Sequence, residues 1–192
     1  MKVTILLGSV RTGRQSHKVA LYLEGLLNHR GVQTNFIDLS ELTLPIMGST
    51  EGNTPLYSKN FEHIGRLLQE GDALLFVSPE YHGSFSGVLK NTLDHFWGEF
   101  HRKPIGVATV SSGKMGGINA STQLQHVILS LGAYALPLKL LVPEIQLSFN
   151  ESLEPVNKYL NKSANKFLDE FLWFGNAIYQ KKQQCSLDKK MA

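Results

Sequence analysis

Three short stretches hold nearly all the residue types in this chain that do chemistry. The first is Gly8-Ser9-Val10-Arg11-Thr12-Gly13-Arg14-Gln15-Ser16. Hydroxyls, two guanidiniums and glycines ahead of a helix make an anion site, because backbone N–H groups and the helix dipole both favour negative charge there. Arg11 and Arg14 add fork-shaped donors, and Ser9 and Ser16 add hydroxyls. Ser16 is equally suited to capping the helix that follows. The stretch is neither G-x-G-x-x-G nor G-x-x-x-x-G-K-[ST], since Arg14 stands where the lysine of the second pattern would be. A monophosphate held by hydroxyls and arginines fits it better than a triphosphate held with magnesium. The second stretch, Pro79-Glu80-Tyr81-His82-Gly83-Ser84-Phe85-Ser86, packs a carboxylate, an aromatic ring, an imidazole and hydroxyls into one loop. The third, Ser111-Ser112-Gly113-Lys114-Met115-Gly116-Gly117, is again rich in glycine and serine. None of the three contains a nucleophile paired with a base, or a metal-ligand cluster. His82 is a candidate proton donor, with ring packing or hydrogen bonding as its alternative role. Glu80 either polarises the site or caps backbone amides.

These loops need elements that bring them together. Lys2 to Leu7, Thr34 to Leu39, Ala73 to Val77, Lys103 to Val110 and Lys139 to Val142 read as strands, with Pro79 ending the third. Helices lie between them, marked by apolar residues at three- and four-residue spacing. Val19, Leu23, Leu26 and Leu27 form one such face, and Phe61, Ile64, Leu67 and Leu68 another. A third runs from Gly87 through Leu89, Leu93, Phe96 and Trp97, a fourth through Leu124, Val127, Ile128 and Leu131, and a long last one follows Val156. Lys90 and Asn91 sit on the third helix, where they would brace neighbouring loops. Ser40 to Leu56 is a long irregular connection, a length at which loops tend to be functional or mobile. Alternating strands and helices predict an α/β fold, a three-layer sandwich around a five-stranded parallel sheet of order 2-1-3-4-5. In that order the switch point lies between strands 1 and 3, so the first two loops flank one crevice and the third adjoins it.

The chain has 192 residues, 42% hydrophobic and 18% charged, which suits one domain over residues 1–180 with a basic polar tail at 181–192. No signal peptide or membrane span is suggested, and a cytoplasmic protein is expected. A net charge of +3, with lysines 181, 182, 189 and 190 in the tail, provides no basic stripe for nucleic acid. Cys185 is the only cysteine, so there is neither a disulfide framework nor a thiolate metal site.

From Val3 to Val142 the chain resembles the NAD(P)H-dependent FMN reductases, a flavodoxin-like family that includes quinone reductases and azoreductases. The resemblance rests on Gly8-Ser9-Val10-Arg11 with Ser16, on Pro79 to Gly83 with Gly87-x-Leu89-Lys90-Asn91, and on Ser112-Gly113 with Gly116-Gly117. Two positions depart from the family's pattern: His82 stands where Asn is usual after the tyrosine, and Ser86 where Pro usually precedes the glycine. The resemblance implies that Ser9, Arg11, Arg14, Gln15 and Ser16 hold the phosphate of FMN. Pro79, Glu80, Tyr81, His82 and Gly83 would then lie along the flavin ring, with Ser112, Gly113 and Gly116 bordering it. It also implies NAD(P)H as co-substrate, a quinone, azo compound, free flavin or similar small molecule as acceptor, and ping-pong kinetics on a flavin that carries the redox chemistry itself. A homodimer or homotetramer is expected from the resemblance and from the aromatic run Phe96, Trp97 and Phe100, read as excess apolar surface. The alternatives are a flavodoxin-type electron carrier, which the basic pI near 8.9 disfavours, and a flavin-bound sensor or partner-binding module.

Overall fold

A computed structural model describes residues 1–49 and 55–191 of the chain. Residues 50–54, within the long connection read between Ser40 and Leu56, lie outside it. The elements in order are β1 (Lys2–Leu7), α1 (Ser16–His29), β2 (Gln33–Asp38), α2 (Pro55–Glu70), β3 (Ala73–Tyr81), β4 (Ser84–Phe85), α3 (Gly87–His95), β5 (Pro104–Val110), α4 (Ile118–Ser130), β6 (Tyr134–Val142) and α5 (Lys158–Met191).

The five long strands are parallel and ordered β2-β1-β3-β5-β6, the expected arrangement. The two-residue β4 pairs antiparallel with β3. Successive side chains of a strand face opposite sides of the sheet, so each buried strand feeds two cores. Val3, Ile5, Leu7, Leu75 and Val77 pack with Val19 and Leu23 of α1 and with Phe167 and Phe171 of α5. Leu6, Leu74, Phe76, Ile105 and Val107 pack on the other side with Ile64 of α2, Leu89 and Leu93 of α3, and Leu124 and Ile128 of α4. The result is a three-layer sandwich. Among the described residues no helix is long and apolar enough to cross a membrane. The residues read as a tail from 181 onward continue α5 to Met191.

Three sequence expectations are corrected. Pro79 does not end the third strand: it pairs with Val110, and β3 runs on to Tyr81. Backbone polar groups of a strand alternate in direction, and the Val77 carbonyl already accepts from Gly8 N–H at 2.8 Å, on the β1 side. The Pro79 nitrogen therefore also faces the β1 side, beyond the end of β1, where a missing donor costs nothing. The fifth long strand begins at Tyr134 rather than Lys139. Pro137 disguises it, falling in an irregularity where Ile105 pairs with Ala135 but Val107 pairs with Lys139. As the edge strand, β6 tolerates both the proline and the bulge. Finally, the aromatic run after α3 is not an exposed patch. Phe96 stacks on Phe61 with centroids 4.8 Å apart, and Phe100 is fully buried edge-on to Phe76. Only Trp97 of the three is exposed.

Candidate functional site

The loops after β1, β3 and β5 meet at the carboxyl end of the sheet, where open α/β sheets bind ligands. They enclose a cavity of about 170 Å³ lined by Ser9, Arg11, Arg14, Gln15, Ser16, Pro79, Glu80, Tyr81 and Ser112 of the expected set. Val110, Ser111 and Ile145 also line it and were not anticipated. His82, Gly83, Gly113 and Gly116 are absent from its wall.

The floor of this cavity is built for an anion. α1 begins at Ser16 itself, and its capping residue Gln15 makes no side-chain cap. Ser16 is thus not the cap that its position suggests. Ser16 and Ser9 are each 1% exposed, and their buried hydroxyls make no hydrogen bond within the protein. A buried hydroxyl without a partner costs free energy comparable to a lost hydrogen bond, so two facing one cavity mark a place for acceptor oxygens. The α1 N-terminus adds its partial positive charge.

The arginines divide the work. Arg14 donates both arms of its guanidinium to Asp38 at the end of β2 and also reaches the Ser9 carbonyl. Burial alone would raise the Asp38 carboxyl. Hydrogen bonds from Arg14 and Ser40 outweigh that and hold it below the ordinary carboxylate value. The same contact with Asp38 raises Arg14. Arg14 thereby staples the first loop to β2, and Asp38, which spacing along the chain did not single out, is the group that fixes it. Arg11 is exposed, lines the cavity and makes no ion pair among the described residues. His17, in the first turn of α1, is lowered by burial and then by the charge of Arg14.

The second loop is a β-hairpin. Tyr81 pairs with Ser84 across a two-residue turn in which His82 has φ 50° and Gly83 φ 77°. A two-residue turn of this hand needs positive φ at both positions, which explains Asn or His followed by Gly. His82 is exposed on this turn, so its identity follows from backbone geometry first. Gln123 of α4 grips the hairpin, donating to the Gly83 carbonyl at 2.8 Å and accepting from the Ser84 hydroxyl at 2.7 Å. Glu80 turns inward and accepts from the Ala120 N–H at 3.0 Å, satisfying a free donor in the first turn of α4.

Ser86 joins these loops to each other. Its hydroxyl caps α3 by accepting from the Leu89 N–H and donates to the Gly8 carbonyl of the first loop, while its N–H bonds the Ser78 hydroxyl. Ser86→Ala should cost about 1–2 kcal/mol in denaturant unfolding, the range for a lost cap. An unfolding midpoint equal to wild type would remove this joining role. Asn91 braces the long connection, accepting from the Met47 N–H and donating to the Pro45 carbonyl, both at 2.9 Å. Lys90 instead pairs with Asp94 one turn along α3.

The third loop is shaped by glycine. Gly117 has φ 83°, and a Cβ there would lie 2.8 Å from Thr109 Cβ. Gly116 has φ 61°, and its Cβ would meet Leu141 at 2.9 Å. The Thr109 hydroxyl donates to both glycine carbonyls, so the loop lies flat on β5 and β6 and presents Ser112 to the cavity.

The family model described as NADPH-dependent FMN reductase matches residues 1–146. An FMN-dependent NADPH-azoreductase of Staphylococcus aureus is 30% identical over 188 residues, covering 92% of this chain and 96% of the relative. One of Staphylococcus saprophyticus subsp. saprophyticus is 33% identical over 144 residues, 71% of this chain and 74% of the relative. Among solved structures, a flavoenzyme NAD(P)H:(acceptor) oxidoreductase from Paracoccus denitrificans superposes with a TM-score of 0.79 at 21% identity, over 92% of this chain and 97% of that one.

Proposed function

The chain belongs to the NADPH-dependent FMN reductase family, and from that premise we propose that the cavity at the carboxyl end of the sheet is where it holds FMN. The protein is an NAD(P)H-dependent FMN oxidoreductase. The observation that carries the placement is the pair of buried, unpartnered hydroxyls of Ser9 and Ser16 beneath Arg11 and the α1 N-terminus. That donor set suits a phosphate monoester. When bound, FMN supplies the redox chemistry, accepting hydride from NAD(P)H and passing electrons to an acceptor.

The chain's own residues bind and orient. Ser9, Ser16 and Arg11 take the phosphate, with Gln15 at its edge. Arg14 acts through Asp38 by holding the loop that presents them. Pro79, Tyr81 and Ser112 form the cavity wall on the side of the second and third loops. Glu80, His82, Gly83, Gly113 and Gly116 shape those loops, Glu80 by securing α4 and His82 with Gly83 by making the turn. The acceptor is a small molecule such as an azo compound, a quinone or free flavin; the relatives named azoreductase favour the first. A cytoplasmic setting fits these substrates. A homodimer or homotetramer is also part of this reading, supported by the exposed Trp97 and Trp173, at 73% and 72%. Light scattering that finds a monomer would remove that part.

The test is steady-state NAD(P)H oxidation by the flavin-loaded protein with a quinone and an azo dye, alongside chromatography of the flavin released by acid. FMN, turnover with one of the acceptors and parallel double-reciprocal lines are expected. A released FAD, or tightly held FMN without turnover, would overturn the reading. Arg11→Ala should weaken FMN binding to the apoprotein by about 1.5–3 kcal/mol, as for a hydrogen bond to a charged group. An unchanged titration would make Arg11 a surface cation. His82→Ala should slow either half-reaction by far less than the ~10²–10⁴-fold of general acid catalysis, because the residue is placed by its turn. A thousandfold loss in reoxidation with FMN still bound would make His82 the proton donor.

A further inference from the structure

A fourth loop, numbered 143–148, follows β6 and reaches the cavity through Ile145. It holds no arginine and no glycine, so nothing in the sequence marked it. The loop is firmly seated. Ile145 is 6% exposed and packs in the core with Val142 and Phe149, and Phe149 meets the Tyr22 ring of α1 edge-on at 5.6 Å. The Leu147 N–H and the Ser148 hydroxyl both donate to the Glu144 carbonyl, at 2.8 and 3.2 Å. Glu144 has φ 45°, a left-handed backbone that a non-glycine residue keeps only where its surroundings impose it.

Three successive carbonyls of the third loop are taken by this fourth one. The Ile145 N–H donates to the Ser111 carbonyl at 3.1 Å, Gln146 Nε2 to the Ser112 carbonyl at 3.3 Å, and the Glu144 N–H to the Gly113 carbonyl at 3.1 Å. A trans peptide group points its N–H opposite to its C=O. The N–H groups of Ser112, Gly113 and Lys114 share these three peptide groups, so all of them point away from the fourth loop. They make no hydrogen bond among the described residues, and all three residues are exposed. Ser111 and Ser112, joined by the first of the three peptide groups, line the cavity. The third loop thus carries a row of three free donors, and the fourth loop sets their direction.

We propose that Gln146 is a positioning residue for the flavin: it holds the third loop so that this row of N–H groups is offered to the part of the cofactor beyond its phosphate. The inference rests on the placement of FMN in this cavity. The first loop supplies the donors for the phosphate, which leaves the third loop's donors for the uncharged body of the ligand, whose carbonyl oxygens and ring nitrogens are acceptors. Gln146 acts through Ser112 and touches no reacting atom. Of the three bonds between the loops, it makes the one that comes from a side chain, so a substitution can remove that bond and leave the backbone intact.

The experiment is titration of the apoprotein with FMN and with riboflavin, which lacks the phosphate. Gln146→Ala should weaken both by the same factor, about two- to tenfold, the range for one neutral hydrogen bond. Gln146→Glu keeps the size but has no proton to give the Ser112 carbonyl, and should lose at least as much. Arg11→Ala should weaken FMN alone. Gln146 is exposed, so the unfolding midpoint of its variants should match wild type. In the wild type, exchange of the Ser112, Gly113 and Lys114 amide protons should slow by about tenfold or more when riboflavin binds. Unchanged affinities in both Gln146 variants, a loss confined to FMN, a lowered unfolding midpoint, or no slowing at the three amides would each overturn the proposal. Wild-type apoprotein that takes up neither flavin would instead overturn the placement of FMN, and with it this inference; every other outcome requires that the wild type binds.

Discussion

Ser16→Asp should yield a folded protein that no longer retains FMN. The expected loss of affinity is ~10²–10³-fold, or about 3–4 kcal/mol, the repulsion of like charges in contact at the effective dielectric of a partly buried site. The substitution separates binding from folding. Ser16 is the first residue of α1, where an aspartate interacts favourably with the helix dipole, worth ~0.3–1 kcal/mol. The Ser16 hydroxyl makes no bond within the protein that would be lost. If the cavity takes a phosphate, the carboxylate occupies its place and supplies its charge, so the donors of Ser9, Arg11 and α1 are satisfied from within. Flavin absorbance after gel filtration, with a thermal melt on the same sample, checks both halves. Yellow protein from the Ser16→Asp variant with wild-type affinity would mean that the phosphate lies elsewhere. A variant that fails to fold would show that Ser16 is a packing residue.

A second large effect concerns pH and lies far from the candidate site. Lys103 is 8% exposed, and its pKa falls from 10.5 in an ordinary lysine to about 8 here, mainly because burial disfavours the charged form. Between those two values the unfolded chain binds more protons than the folded one. Stability must therefore rise with pH across that window and be penalised below it. The full penalty is about 3 kcal/mol, since each tenfold loss of proton affinity on folding is worth ~1.4 kcal/mol. Urea midpoints at pH 7.5 and pH 10, for wild type and for Lys103→Met, isolate this group from other residues that titrate in the same range. Wild type should gain about 2–3 kcal/mol on Lys103→Met as the pH rises. Equal pH dependence in the two proteins would show that Lys103 titrates as a surface lysine. Lys182, lowered chiefly by burial as well, contributes with the same sign in both proteins.

Much of the fold is legible in the sequence. Apolar runs bounded by glycine and proline place four of the five long strands to within a residue or two at the start, because a strand buried on both faces must be apolar throughout. The alternation of strands with helices then selects the sheet order. The three loops stand out because connectors do not otherwise need arginines, a tyrosine or adjacent glycines. Prolines mislead in both directions. Pro79 reads as a terminator and Pro137 hides a strand, since what decides each is whether a neighbour waits on the side of the missing N–H, and spacing does not say.

By itself the sequence determined the topology, the end of the sheet at which the candidate site lies and the three loops that line it. Each of these follows from local pattern: hydrophobic period, turn residues and the direction of parallel strands. Only the tertiary structure decided which polar groups are already spoken for. Arg14 and Arg11 look alike along the chain, yet Arg14 is neutralised by Asp38, a residue 24 positions away that the β1–β2 pairing brings alongside. Ser9 and Ser16 look like any loop and cap serines until burial leaves their hydroxyls without partners. Phe96 and Phe100 look like surplus surface until Phe61 and Phe76 cover them. A side chain's type and spacing record what it can do. Whether a partner has already taken that capacity depends on which distant element the fold lays against it.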